Sequence, residues 1–433
     1  MSYRLDDIDC VSARGHAALG GTLAIQAVWS YDRPVDMAAL REFHVALRRG
    51  RLGRVVLPAL IPAAGDRWST RGEFGPLEVA DAPVPQAARG AWIAEQARAE
   101  LRTYGGPAYR LASATMDNGE SVVSLLVSHT IADARALCAA IAEAVVGKEL
   151  DPTYPSDEFG RARLFFDELG AAARRIRPML GAAVLGTRLA ITGRRAASAG
   201  AQGQDAGLPT ITVTVPAHEW HAAARARGGS STALAVALLA EVATAVGRTD
   251  EAGKVVLMMP VSTRTETDER ANALAAIDFE VDLRDGAPAD LAGLRAVLKT
   301  KLRAAAEAGH RVPPLIPQAV ALPRRLYGVL ARQTAAAPTV TVCSNLGEVD
   351  PAVLCVDGQP ASSFEIGLVN QSLHTRGVLD ERGGNLYALM SESGGAITLR
   401  VNGYHPPRLR TVEELTELCT RALARYELSP TCA

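Results

Sequence analysis

Ser121-Val122-Val123-Ser124-Leu125-Leu126-Val127-Ser128-His129-Thr130-Ile131-Ala132-Asp133-Ala134 is the stretch that decides how the rest of the chain is read. Its first half is a β-favouring apolar run, and from Ala132 to about Val146 the pattern changes to helical spacing with Leu137, Ile141 and Val145 on one face. The stretch therefore predicts a buried strand that passes directly into a helix. Before it lies a second strand, Tyr109 to Met116, joined through Asp117-Asn118-Gly119-Glu120, whose Asn-Gly pair favours a hairpin turn. A histidine at the strand end faces whatever lies beyond the strand tip. With an ordinary pKa near ~6.5, an imidazole there takes a proton from an alcohol or amine at neutral pH and returns one to a leaving group. Asp133, in the first turn of the helix, is favoured by the helix dipole and is able to hold an arginine. The spacing alone favours a buried, hydrogen-bonded histidine and a helix-start aspartate with purely structural roles.

Working outward, Thr22 to Tyr31 reads as a strand and Val35 to Arg49 as a helix with Met37, Leu40, Phe43 and Leu47 on its apolar face. Between about Gly160 and Gly207 the chain becomes Arg/Ala-rich and ends in Ala196-Ala197-Ser198-Ala199-Gly200-Ala201-Gln202-Gly203-Gln204, a small-residue polar run typical of a connection. The second half predicts a strand at Thr210 to Val215, a helix from Ala217, a helix at Ser231 to Val246, and strands at Val255 to Val261 and Ala276 to Leu283. A helix at Ala289 to Glu307 follows, then strands at Thr339 to Cys343, Phe364 to Val369, Leu386 to Ser391 and Ala396 to Asn402, and a helix at Val412 to Tyr426. The pattern is α+β, arranged as a lobe over 1–165, a connection over 166–208 and a lobe over 209–433.

Composition narrows the function. With 433 residues, 48% hydrophobic and 21% charged, the chain has apolar residues enough for two ordinary cores. A net charge of -1 provides no basic field for nucleic acid. Six cysteines at 10, 138, 343, 355, 419 and 432 form no CxxC pair and read as small hydrophobes in a reducing compartment. The start, Met1-Ser2-Tyr3-Arg4-Leu5-Asp6-Asp7, has no apolar core of a secretory signal, so a cytoplasmic setting is expected. Met179 to Thr192 is shorter than the ~20 residues a membrane span needs and carries Arg188, so no integral membrane segment is expected. No GxGxxG, Walker or GxSxG pattern occurs, which argues against nucleotide cofactors and an α/β-hydrolase. His218 and His221 share a helix face but have no third ligand at metal-site spacing, and no metal is expected.

The Ser128-His129-Thr130-Ile131-Ala132-Asp133-Ala134 segment resembles the HHxxxDG motif of the condensation-domain and chloramphenicol-acetyltransferase superfamily, free-standing polyketide-associated acyltransferases included. Ser231 to Ala240 is similar to the helix that opens that family's second lobe, and Met259-Pro260-Val261-Ser262-Thr263-Arg264 to its vPvxxR strand end. Val342-Cys343-Ser344-Asn345-Leu346-Gly347 is similar to its vSNxG strand, and Ile397 to Tyr404 with the following helix to its closing elements. The resemblance runs in order over nearly the whole chain. It departs where Ser128 replaces the first histidine and Ala134 the glycine.

This resemblance implies two chloramphenicol-acetyltransferase-like lobes in a V-shaped pseudo-dimer with a central tunnel. It makes His129 the general base, Asp133 a structural carboxylate paired with Arg264, and Ser128 a supporting residue. Ser344 and Asn345 are placed near the acyl carbonyl or oxyanion, and His374 in a segment reaching the tunnel. The implied activity is acyl transfer from an acyl-CoA or acyl carrier protein thioester to a small alcohol or amine acceptor, with coenzyme A or phosphopantetheine only as donor carrier and no other cofactor. A free-standing peptide-bond condensation enzyme and a non-catalytic recruitment module are the alternatives. Arg174, Arg175, Arg177, Arg188, Arg194 and Arg195, or Arg324, Arg325 and Arg332, are expected near the donor mouth, because arginine forks suit phosphate. A monomer is expected.

Overall fold

The computed structural model describes residues 3–150, 152–175, 177–185, 207–265, 268–283, 289–309, 312–335, 340–371 and 376–432. In chain order the first half contains α1 (Asp7–Leu19), β1 (Thr22–Tyr31), α2 (Met37–Arg49), β2 (Val55–Leu57), β3 (Arg67–Ser69), β4 (Leu77–Val79), α3 (Arg89–Gln96), β5 (Tyr109–Thr115), β6 (Ser121–Ser128), α4 (Ala134–Val145), α5 (Arg161–Ala173) and the helical segment 177–185, α6. The second half contains β7 (Thr210–Pro216), α7 (Ala217–Ala226), α8 (Ser231–Val246), β8 (Lys254–Ser262), β9 (Leu274–Asp282), α9 (Ala292–Ala308), α10 (Leu315–Ala321), α11 (Arg324–Ala335) and β10 (Thr341–Glu348). It closes with β11 (Ser363–Gln371), α12 (Arg376–Glu381), β12 (Asn385–Ser393), β13 (Ala396–Tyr404), α13 (Val412–Ala424) and β14 (Thr431–Cys432).

These elements build two mixed sheets. The first has the order β11-β1-β6-β5-β4 and the second β14-β7-β13-β12-β10-β8-β9. The α+β class read from the sequence is the class observed. The hairpin β5–β6 turns at Gly119, whose φ of 87° lies in the left-handed region that glycine reaches without strain. α8 is buried nearly all round, from Ala233 to Ala243, because it is apolar on every face and fills the core of the second half. It is capped by Ser230, which accepts from Ala233 N. No single helix among the described residues is long and apolar enough to cross a membrane.

Several features differ from the sequence expectation. β11, expected in the second lobe, pairs antiparallel with β1 along its length, from Thr22↔Gln371 to Ser30↔Ser363, and so lends the first sheet an edge strand. Trp29 and Phe364 meet across that seam with ring centroids 5.4 Å apart. A strand's partner is a non-local property, which alternation in the strand itself does not encode. The expected lobe boundary at 165 falls inside α5, and most of the expected small-residue connection lies outside the described residues. α1, α10 and α11 were not expected, and β10 continues through Ser344, Asn345 and Gly347 instead of ending at Cys343.

Candidate active site

His129 stands one residue beyond the end of β6, and its two backbone groups are both tied down. Its N–H donates to Leu23 O on β1 (2.8 Å), and its carbonyl accepts from Asn272 Nδ2 (3.0 Å). The turn that follows is closed by Ile131 N to Ser128 O (3.0 Å) and by the buried Ser128 and Thr130 hydroxyls at 2.7 Å. Asp133 then starts α4 as its N-cap, Oδ1 accepting from Ala136 N at 2.7 Å. Its other oxygen accepts from Arg264 Nη2 (2.7 Å) and Ala273 N (2.9 Å). Arg264 also donates from Nη1 to the Arg270 carbonyl (3.0 Å) and from Nη2 to the Ala271 carbonyl (3.1 Å). One carboxylate thus joins the helix after His129 to the β8–β9 connection of the second half.

A second carboxylate reinforces that joint. Asp9 on α1 is fully buried and accepts from Ala271 N (2.9 Å), Asn272 N (2.8 Å) and Asn272 Nδ2 (2.9 Å). Burial pushes its carboxyl up to about 6, against those N–H donors and the charge of Arg54, which favour the ionised form. The same Asn272 amide holds the His129 carbonyl, so α1, the β8–β9 connection and the β6–α4 turn meet at one amide group.

A cavity of about 580 Å³ is lined by residues of both sheets, with His129 among them. Its walls follow strand periodicity: Met258, Pro260 and Ser262 on β8 and Asn385, Tyr387 and Leu389 on β12 point into it at every second position. From the other side α1 contributes a helical stripe, Val11, Ser12, Gly15, His16 and Leu19. Burial holds the His129 imidazole below its ordinary pKa of 6.5, and the Asp133 charge pulls partly back. His16 is driven down to about 3 by burial and by the neighbouring His129, and its Nδ1 is buried without a partner among the described residues. At neutral pH the cavity holds two uncharged imidazoles.

No protein-family model matches the sequence. Nor does any curated protein match it. Solved structures do. The first condensation domain of the CDA synthetase is similar over 98% of this chain and 95% of that one, at 16% identity and a TM-score of 0.60. Polyketide synthase associated protein 5 from Mycobacterium tuberculosis is similar over 97% of this chain and 98% of that one, at 14% identity and a TM-score of 0.54. The chain has the condensation-domain fold. The nonribosomal peptide synthetase FmoA3, solved in an α-methyl-L-serine-AMP bound form, is similar over 98% of this chain and 44% of that one, at 17% identity and a TM-score of 0.56.

Within this condensation fold the residues singled out in the sequence take the following places. His129, Asp133 and Ser344 line the cavity, and Arg264 reaches Asp133. Ser128 lies buried below the turn with its hydroxyl on Thr130 and does not line the cavity. Asn345 lines the wall and its amide bonds within the protein, Nδ2 donating to Thr232 Oγ1 (2.8 Å) and Oδ1 accepting from Gly347 N (2.7 Å), at the point where the β10 register shifts. The Tyr387 hydroxyl, hydrogen-bonded to Ser344, is the polar group beside it. His374, Arg188, Arg194 and Arg195 lie outside the described residues. Arg175 pairs with Asp7 at 2.7 Å, and Arg324 donates to Ala59 O at 3.2 Å. His221 lies 3.1 Å from Glu392 instead of a metal partner, and no group of three or more His, Cys, Asp or Glu side chains disposed to hold a metal occurs among the described residues.

Asp9, His16 and Asn272 were not singled out in the sequence. Asn272 had one available signal, a polar residue isolated in Ala271-Asn272-Ala273 shortly after Arg264. Asp9 and His16 had none short of the recognition of α1.

Proposed function

We propose that this chain is an acyltransferase that moves an acyl group from a thioester, carried on coenzyme A or on an acyl carrier protein, to the hydroxyl or amine of a small acceptor. The observation that carries the proposal is His129: a neutral imidazole with both backbone groups pinned, opening onto a cavity walled by both sheets. A base held uncharged by burial is ready to accept a proton near pH 7. The acceptor O–H or N–H gives its proton to the imidazole while its oxygen or nitrogen bonds to the thioester carbonyl carbon. The tetrahedral intermediate then expels the thiolate, which takes the proton back from the imidazolium. No covalent enzyme intermediate is needed, since the thioester is already activated and the site supplies positioning and hydrogen bonding.

Ser344 and the Tyr387 hydroxyl are the candidates for stabilising the oxyanion. Asn345 is a further candidate through the second N–H of its Nδ2, the first being held by Thr232. In this proposal the cavity is the middle of a tunnel between two lobes set in a V, with donor and acceptor entering from opposite faces. The likeness to a synthetase domain and to a polyketide synthase associated protein supports a place in natural-product assembly. A panel of acyl thioesters, monitored for free thiol with and without alcohols and amines, tests the proposal. Acceptor-dependent thiol release supports it; absence of release across the panel favours the recruitment module.

A further inference from the structure

Three cavity-lining residues stand in a row across the first sheet. The β1–β6 register pairs Ala24 with Ser128, so Leu23 comes opposite His129, and the β1–β11 register pairs Leu23 with Asn370. All three line the same cavity, as directly opposed residues of an antiparallel sheet must when they share a face. With strands spaced 4.7–4.9 Å apart, two steps set Asn370 at roughly 10 Å from His129.

Asn370 differs from the other amides described around the site. Asn345 and Asn272 use their amide groups in hydrogen bonds within the protein. Asn370 Oδ1 and Nδ2 are both buried, and neither has a hydrogen-bond partner among the described residues. Leaving a buried donor and a buried acceptor unpaired is costly, and a fold that keeps them at a cavity wall gains when a ligand pairs them. The surroundings are polar as well. Asn385 and Asn402 line the same end, and Asn402 Nδ2 reaches across from β13 to Leu368 O on β11 at 3.2 Å. A side-chain amide with free C=O and N–H is complementary to one group above others: a secondary amide, which offers an N–H and a C=O in return.

We propose that Asn370 docks a secondary amide of the bound substrate, holding it roughly 10 Å from His129 while the reacting carbonyl sits at the imidazole. That separation equals about three residues of extended chain, so the amide lies some nine chain atoms from the reacting centre. The inference rests on the acyl-transfer reading for what reacts at His129. Two sources supply such an amide: the arm of the thioester donor, or a peptide-like acceptor.

The test uses the full chain as wild type, Asn370→Leu and Asn370→Asp, with binding read by calorimetry and turnover read separately. The donor probes are S-octanoyl pantetheine, whose arm carries amides, and S-octanoyl propanethiol, which has none. The acceptor probes are N-(6-hydroxyhexyl)acetamide, whose amide lies about eight to nine atoms from the reacting carbonyl, and 1-nonanol, which has none. Loss of the paired amide in Asn370→Leu is expected to weaken the amide-bearing probe of one pair about tenfold and its amide-free counterpart less than about twofold. The affected pair identifies the source. Asn370→Leu also removes two unpaired buried polar atoms, so its melting temperature is expected to equal or exceed the wild type. If it fails to fold, Asn370→Asp, which keeps acceptors and loses the donor, must show the same selective weakening. The proposal is overturned if wild type binds neither amide-bearing probe, or if substitution affects amide-bearing and amide-free probes equally. Amide-selective binding without any thioester turnover would sink the acyl-transfer reading while leaving this site standing.

Discussion

Removing the Asp133 carboxylate is expected to damage stability and activity together. The Asp133 side chain is 2% exposed and its partner Arg264 12%, so the pair is shielded from water. Asp133→Ala leaves the Ala273 N–H without an acceptor, removes the α4 cap on Ala136 N, and unpairs a guanidinium whose remaining acceptors are neutral carbonyls. Breaking a buried pair from one side costs about 3–5 kcal/mol, a range that already includes the stranded charge. At about 2.1 cal/mol/K per residue, the 433 residues have a melting entropy of about 0.9 kcal/mol/K. The melting temperature should therefore fall by about 3–6 °C if the chain melts as one unit. Asp133→Asn is not expected to rescue it. Whichever way the amide turns, its NH₂ faces a donor, either Ala136 N–H or the Arg264 and Ala273 N–H groups. Scanning calorimetry of both variants, beside a thiol-release assay, checks this. A shift under about 1 °C in Asp133→Ala would refute the reasoning that this carboxylate ties the halves together.

Asp9→Ala should behave as a milder relative: it orphans the Ala271 and Asn272 backbone N–H groups and loosens the amide that holds the His129 carbonyl. A loss of about 2–4 kcal/mol is expected, with kcat falling more than KM, measurable by denaturant titration and steady-state kinetics. His16, depressed to about 3, is neutral in the folded chain, whereas the unfolded chain protonates it near 6.5. Its contribution is complete above pH 6.5 and is lost as pH falls from 6.5 towards 3, at up to about 1.4 kcal/mol per pH unit. Urea midpoints between pH 7 and 5 should fall less steeply in His16→Gln, and equal slopes would contradict this. For turnover, burial of His129 sets the acid limb of kcat/KM below its ordinary 6.5, so activity should be level from pH 8 to 6.5. An acid limb at pH 7 or above would rule out a desolvated base.

Elements with strong local signals were legible in the sequence. β1, at Thr22–Tyr31, and α8, at Ser231–Val246, match the expected bounds, because long apolar patterns and a serine cap leave little choice. α1 was hidden because its buried face is Asp9, Cys10, Ala13 and Arg14, which shows no apolar period. What buries that face is polar chemistry with distant residues: Arg14 pairs with Asp66 at 3.0 Å, both side chains almost fully enclosed, and Asp9 with the β8–β9 connection. The loan of β11 to the first sheet was hidden for a similar reason, since Leu368 and Ile25 both read as core wherever their strands pair. Asp133 and Arg264 lie 131 positions apart, and only the family resemblance brought them together before the fold did. Asn370 sits at the end of a recognisable strand, but that its amide is unpaired emerges only once the sheet register is known.

The most direct test of the central claim is single-turnover transfer by His129→Ala with a donor and acceptor that the wild type uses, followed by thiol release and acyl-product formation together. The bonds to Leu23 and from Asn272 to the carbonyl use the His129 backbone and survive in alanine, which loses only the imidazole's own contact with the Asn272 amide, so the melting temperature should fall by no more than about 1–2 °C. Loss of a general base is expected to slow transfer by about 10²–10⁴-fold. A well-folded His129→Ala variant that transfers the acyl group at the wild-type rate would contradict the account.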